Sequence, residues 1–166
     1  MHQHVMRIVC LLVLISVGLS SAGAAVPDCD ELEGNANGIL LSLNEFLGQA
    51  DLSIGGQLRS ATVTTTLVDL RLTEDGTIQA TSTHVYELDG SPDGSCDLGE
   101  NCFETTDHTV VDLTNNLALN EVNRISNGHG EFAEACGKFT SHGSISLTTL
   151  PPTVSWRLKG RICTCN

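Results

Sequence analysis

The chain is short of positive charge, of aromatic rings and of long apolar runs. It carries 8 Lys and Arg against 20 Asp and Glu in 166 residues, a formal net charge of −12. All 20 acidic residues and seven of the eight cations lie after Ala25, so that part holds about −13. Such a deficit of cations excludes nonspecific nucleic-acid binding, which works by setting Lys and Arg against phosphates. Acidity of this kind reads as solubility. Several motifs are missing as well. There is no Gly-x-Ser-x-Gly, no glycine-rich loop followed by Lys, no Cys-x-x-Cys and no Asn-x-Ser/Thr acceptor. Their absence removes the serine-hydrolase elbow, the phosphate-cradling loop, and the usual redox pair or zinc knuckle.

One apolar run stands out, from Ile8 to Leu19, behind a short polar start with a single cation at Arg7. Small residues follow, with Ala22 and Ala24 placed for a cut after Ala24 or Ala25. The run is about a dozen residues, short of the roughly 20 that span a bilayer. Residues 1–25 therefore read as a cleaved signal peptide, and the protein as secreted, periplasmic or extracellular. No membrane contact is expected after cleavage.

Six cysteines remain beyond that segment: Cys29, Cys96, Cys102, Cys136, Cys163 and Cys165. An even number in an exported domain reads as a disulfide framework. Cys96 and Cys102 bracket a short loop and form the best local pair. Of the other four, Cys29 lies at the mature N-terminus, Cys136 in a late loop and Cys163 and Cys165 at the C-terminal end, and tying both termini to the body suppresses fraying.

Residues 26–38 are acidic and turn-rich and read as an arm leading into a single domain over 39–166. The stretch from Ile39 to Leu47 fits a helix turn or a buried strand equally well. After it the pattern turns to strands. Residues 61–72 are rich in β-branched side chains, and Asp75-Gly76 supplies a hairpin turn before 77–88 returns. Further strands are expected over 102–113, 117–125, 138–150 and 154–165. The last alternates, with Val154, Trp156, Leu158, Gly160 and Ile162 on the face meant for the core. Six strands are clear and about eight are expected, joined by hairpin-length loops. The fold class is all-β: an up-and-down antiparallel β-barrel of about eight strands, disulfide-stabilised, with a β-sandwich as the alternative.

Within that frame the polar residues of the strands matter most. Phe103, Thr105, Asp107, Thr109, Val111 and Leu113 share one face. If it points inward, Asp107 is a buried carboxylate in need of a partner. Arg124 is the candidate partner, with Glu121 and His84 close enough in the pattern to join them. These four, His84, Asp107, Glu121 and Arg124, are the candidate ligand-binding residues of the barrel interior. Such a group serves as a ligand anchor, an acid/base element or a structural ion pair. His84, His108, His129 and His142 show no metal-ligand spacing, so no metal and no cofactor are expected. The carboxylates between Asp89 and Glu100 do not match an EF-hand loop and read as a solvated acidic loop. Arg157, Lys159 and Arg161 form a basic stripe expected to pair with acidic neighbours across strands.

The segment from Ile125 to Gly143 resembles the glycine-rich corner of allene-oxide-cyclase-barrel and dirigent-like proteins. The matching positions are Ile125, Gly128, Gly130, Phe132, Ala135, Gly137 and Gly143, with Phe103–Asp107 and Arg124 similar to the strands before that corner. The resemblance covers roughly 61–162. It implies an eight-stranded barrel whose interior holds a small apolar molecule, and it suggests a cyclase or isomerase as one class of activity. The residues that act on substrate in the plant enzymes have no matching positions here, and the six cysteines depart from the pattern. The expected function is thus a noncatalytic binding or scaffold protein with a small apolar ligand. An isomerase or cyclase working inside the barrel, and a protein-docking module, are the alternatives.

Overall fold

The structure, a computed structural model, describes residues 27–42, 44–88 and 93–165. Residues 1–25, read from the sequence as a signal peptide, lie outside the described residues. Eight antiparallel strands follow one another around a closed barrel: β1 Asp28–Ser42, β2 Glu45–Ile54, β3 Gln57–Leu72, β4 Thr77–Glu87, β5 Cys102–Asp112, β6 Ala118–His129, β7 Ala135–Ser146 and β8 Thr153–Thr164. Pairing of β1 with both β2 and β8 closes the ring and leaves no open edge. The expected barrel is the observed one, and the sandwich alternative falls away.

The two strands that bring the six clear ones to the expected eight are β1 and β2, in the stretch where the sequence pattern is ambiguous. The acidic stretch read as an arm is the first part of β1, paired with β8 from Asp28↔Thr164 to Ile39↔Thr153. Its inward positions are Leu32, Gly34, Ala36, Gly38 and Leu40, small or widely spaced, so the alternation is faint in the sequence. The ambiguous stretch 39–47 is neither a helix nor one strand. It is the hairpin where β1 ends and β2 begins.

One half of the interior is filled. Tyr86, Phe103 and Phe139 are fully buried with Leu32, Leu52, Leu158 and Val63, each large side chain worth roughly 1.5–3 kcal/mol of burial. Phe132, on the single turn Gly130–Phe132, caps this end with its ring 5.4 Å from that of Phe103. A Cβ at Gly128 would lie 2.1 Å from the Phe132 carbonyl oxygen, so the corner needs glycine there to fold Phe132 inward.

Three cross-links brace this end: Cys29–Cys163, Cys96–Cys102 and Cys136–Cys165. They fit an oxidising compartment. No helix among the described residues is long and apolar enough to cross a membrane. Cys29 and Cys163 lie directly opposite each other where β1 closes onto β8, 134 residues apart in sequence. Replacing both by serine should cost roughly 3–5 kcal/mol in urea unfolding, because so long a loop loses much entropy when closed. The six-residue Cys96–Cys102 link should matter less.

Candidate functional site

The other half of the barrel is open. A pocket of about 330 Å³ enters between the loops that join β1 to β2, β3 to β4, β5 to β6 and β7 to β8. Phe46, Ile78, Val111, Leu119, Val154 and Trp156 line its walls. Gly143 stands directly opposite Trp156, and a Cβ there would lie 2.7 Å from the Trp156 Cα and Cβ. The missing side chain makes room for the indole, which packs against Phe46 at 4.8 Å between ring centroids. Leu70, Leu113 and Leu147 stand at the mouth, and each is largely exposed.

At the deep end the apolar walls give way to ionisable groups. His84 on β4, Asp107 on β5 and Glu121 on β6 point into the barrel and are buried. Strand pairing brings them together: Thr105 lies opposite His84, Thr109 opposite Glu121, and Asn123 opposite Asp107. His84 Nε2 sits 3.2 Å from Glu121 Oε1 and 3.5 Å from Asp107 Oδ2. The Thr105 hydroxyl donates to Asp107 Oδ2 at 2.9 Å, and the Thr109 hydroxyl donates to Glu121 Oε1 at 2.5 Å. Asn123 ties the carboxylates to each other. With its amide nitrogen turned towards them, the orientation that satisfies every neighbour, it donates to Asp107 Oδ1 at 3.0 Å and Glu121 Oε2 at 3.3 Å. Its oxygen then accepts from Ser141 Oγ at 2.9 Å.

The three titratable groups perturb one another. Burial alone would lower the His84 pKa, but the Glu121 and Asp107 carboxylates raise it to about 9. Asp107 goes up to about 7, mainly through burial and against the pull of His84, with Glu121 pushing the same way. Glu121 is held below its ordinary value although burial opposes this, because His84 and the Thr109 hydroxyl favour its ionised form. At neutral pH the cluster is an imidazolium, one firm carboxylate and one carboxyl poised between its two forms.

Of the four candidate interior residues, the structure unites three and excludes the fourth. Arg124 is exposed on the outer face, opposite Thr106 and Lys138. The reason is parity. Residues 121 and 124 are an odd number of positions apart, so a regular strand cannot turn both inward. Glu121 and Asn123 take the inner face, and His84 takes the role expected of Arg124. Asn123, Ser141, Tyr86 and Trp156 belong to the site and were not singled out. Asn123 was within reach, being two residues from Glu121.

The other histidines stay apart: His108 and His142 are exposed, and His142 Nδ1 lies 2.8 Å from Asn120 Oδ1. Lys159 meets Glu33 at 2.6 Å, as the basic stripe led one to expect. A larger hollow of about 560 Å³ lies at the opposite end, lined by Asp28, Asp30, Arg59 and Glu131 among others. It contains none of the buried ionisable cluster, so the chemistry belongs to the smaller pocket. Scans against family models, curated proteins and solved structures find no match to this chain.

Proposed function

We propose that this is a secreted binding barrel that holds one small, mainly apolar molecule with a polar head at the deep end of the pocket. The observation that carries the reading is the division of the pocket itself: apolar walls and mouth, with His84 and Glu121 at its base. Its volume lies at the lower end of small-molecule sites, roughly 300–1,000 Å³. The base already balances an imidazolium against carboxylates, so a neutral hydrogen-bonding head suits it better than an anionic one. The resemblance of the 125–143 corner to small-molecule barrels agrees with this reading.

Trp156, the sole tryptophan, lines the pocket and reports occupancy. Titration with 1-aminoanthracene, a neutral apolar probe with one polar group, should change its emission saturably at one probe per chain. Ala80→Phe, which fills the pocket from β4, should weaken the probe at least tenfold while leaving the far-UV spectrum intact. A wild-type chain with no saturable change would refute the binding reading.

One observation favours a catalytic variant of the same idea. Asp107, with a pKa of about 7, does not line the pocket but lies 3.5 Å from His84 Nε2, which does, and the pair is suited to proton transfer, the step an isomerase or cyclase needs. In that case a molecule released from the barrel has the mass of the one that entered but a different chromatographic retention.

A further inference from the structure

We infer that His84, Asp107 and Glu121 form a binding site for one divalent transition-metal ion, of the zinc class, with an open position facing the apolar pocket. The argument begins with convergence. One donor atom from each residue lies within 4.8 Å of the others, and the three come from adjacent strands of a rigid barrel. Two ligands bonded to zinc at about 2.0–2.2 Å in a tetrahedral arrangement stand roughly 3.3–3.6 Å apart. The two His84 separations, 3.2 and 3.5 Å, fall at that spacing.

The imidazole supplies the second, independent observation. His84 Nε2 is buried and lies within ion-pair distance of both carboxylates, yet it makes a properly directed hydrogen bond to neither. A self-contained ion pair would aim the N–H at one oxygen. Here the nitrogen lies at similar distances from both, 3.2 and 3.5 Å, as a shared ion would require. Two more buried polar atoms beside the cluster, Tyr86 Oη and Trp156 Nε1, also lack a well-formed hydrogen bond among the described residues. Their rings lie 6.0 and 5.9 Å from that of His84.

The surroundings of the cluster resemble a prepared outer shell. His84 Nδ1 lies 3.4 Å from Thr65 Oγ1, which can accept a hydrogen bond from a proton held on Nδ1 in the tautomer that leaves the Nε2 lone pair for a metal. Thr105, Thr109 and Asn123 orient the two carboxylates. Charge balances too, since an ion that displaces the protons of His84 and Asp107 meets two carboxylates and a neutral imidazole, a match for two positive charges. A nitrogen and two carboxylate oxygens suit zinc, manganese or iron(II) better than calcium or magnesium, which prefer oxygen alone. Three protein ligands leave a further coordination position, and His84 and Glu121 line the pocket on that side. Metal binding does not depend on pocket occupancy, so the two readings stand or fall separately.

The test uses the disulfide-bonded full domain, stripped with a chelator and titrated with Zn²⁺ alone by calorimetry. One ion per chain is expected, weakened at least 100-fold in Glu121→Gln and in His84→Gln. His108→Asn, on the outer face, should leave the affinity unchanged. Should either site variant fail to fold, Co²⁺ added to the wild type decides. An intense visible band is expected from a four-coordinate site, and the weak spectrum of hydrated Co²⁺ overturns the proposal. Absence of Zn²⁺ binding at millimolar metal overturns it, as does equal affinity in wild type and both site variants.

Discussion

His84→Gln should destabilise the metal-free protein by about 3–5 kcal/mol at pH 7. The substitution removes the one cation facing two buried carboxylates, whose partners would otherwise be hydroxyls and an amide. Breaking a buried pair from one side leaves charge uncompensated in a poorly polarisable interior, and losses of this size follow. Asp107→Asn is the informative contrast. It keeps the shape, leaves one carboxylate for one imidazolium, and should cost about 1 kcal/mol or less, or even stabilise at pH 8. Urea unfolding of the three proteins at both pH values, in the presence of chelator, measures all of this. Equal losses in the two variants would mean that the cluster is not the asymmetric charge set described here.

The wild-type protein, stripped of metal, should lose stability as pH rises from 5 to 9, by roughly 6 kcal/mol in total. The sign follows from two groups that both hold protons more tightly when folded. Asp107 moves from 3.8 to about 7, so between those values the folded state binds more protons than the unfolded one, and stability falls as pH rises. His84 moves from 6.5 to about 9, and its contribution, complete below 6.5, disappears as pH passes through 9. Glu121 has the opposite sense, but its effect is confined to pH values below the ordinary glutamate range. The two larger steps therefore add. His84→Gln/Asp107→Asn should flatten the profile over this range. A stability that rises from pH 5 to 9 in the wild type would contradict the account.

How much of this was legible in the sequence differs between strands. The alternation of Val154, Trp156, Leu158 and Ile162 is plain because β8 is apolar on one face and charged on the other. The Asp75-Gly76 turn was equally readable, with Gly76 at φ 81°. The β1 strand was hidden because its inward face is partly glycine and alanine, and closure against β8 comes from backbone pairing rather than from a hydrophobic pattern. The local pairing of Cys96 with Cys102 followed from proximity, whereas the four remaining cysteines needed the strand register.

The site was half legible. An inward Asp107 could be read from the phase of β5, and its need for a partner from the cost of burying a charge. The identity of that partner could not be read so directly. Charge favoured Arg124, but the period of two on β6 places Glu121 and Asn123 inside and Arg124 outside. The His–Asp–Glu convergence escaped a search by spacing because its members lie 23 and 14 residues apart along the chain, one on each of three neighbouring strands. Spacing within one element carries no information about such a set.

The most direct test of the central claim is a pair of mass spectra, native and denatured, of the protein isolated from the cells that make it. The denatured chain should weigh six hydrogens less than its fully reduced form. The native ion should carry an extra organic mass of a few hundred daltons or less, lost on denaturation and distinct from the tens of daltons of a metal ion. A native mass equal to the bare chain, together with an unchanged Trp156 emission on probe addition, would contradict the proposal that the pocket holds a ligand.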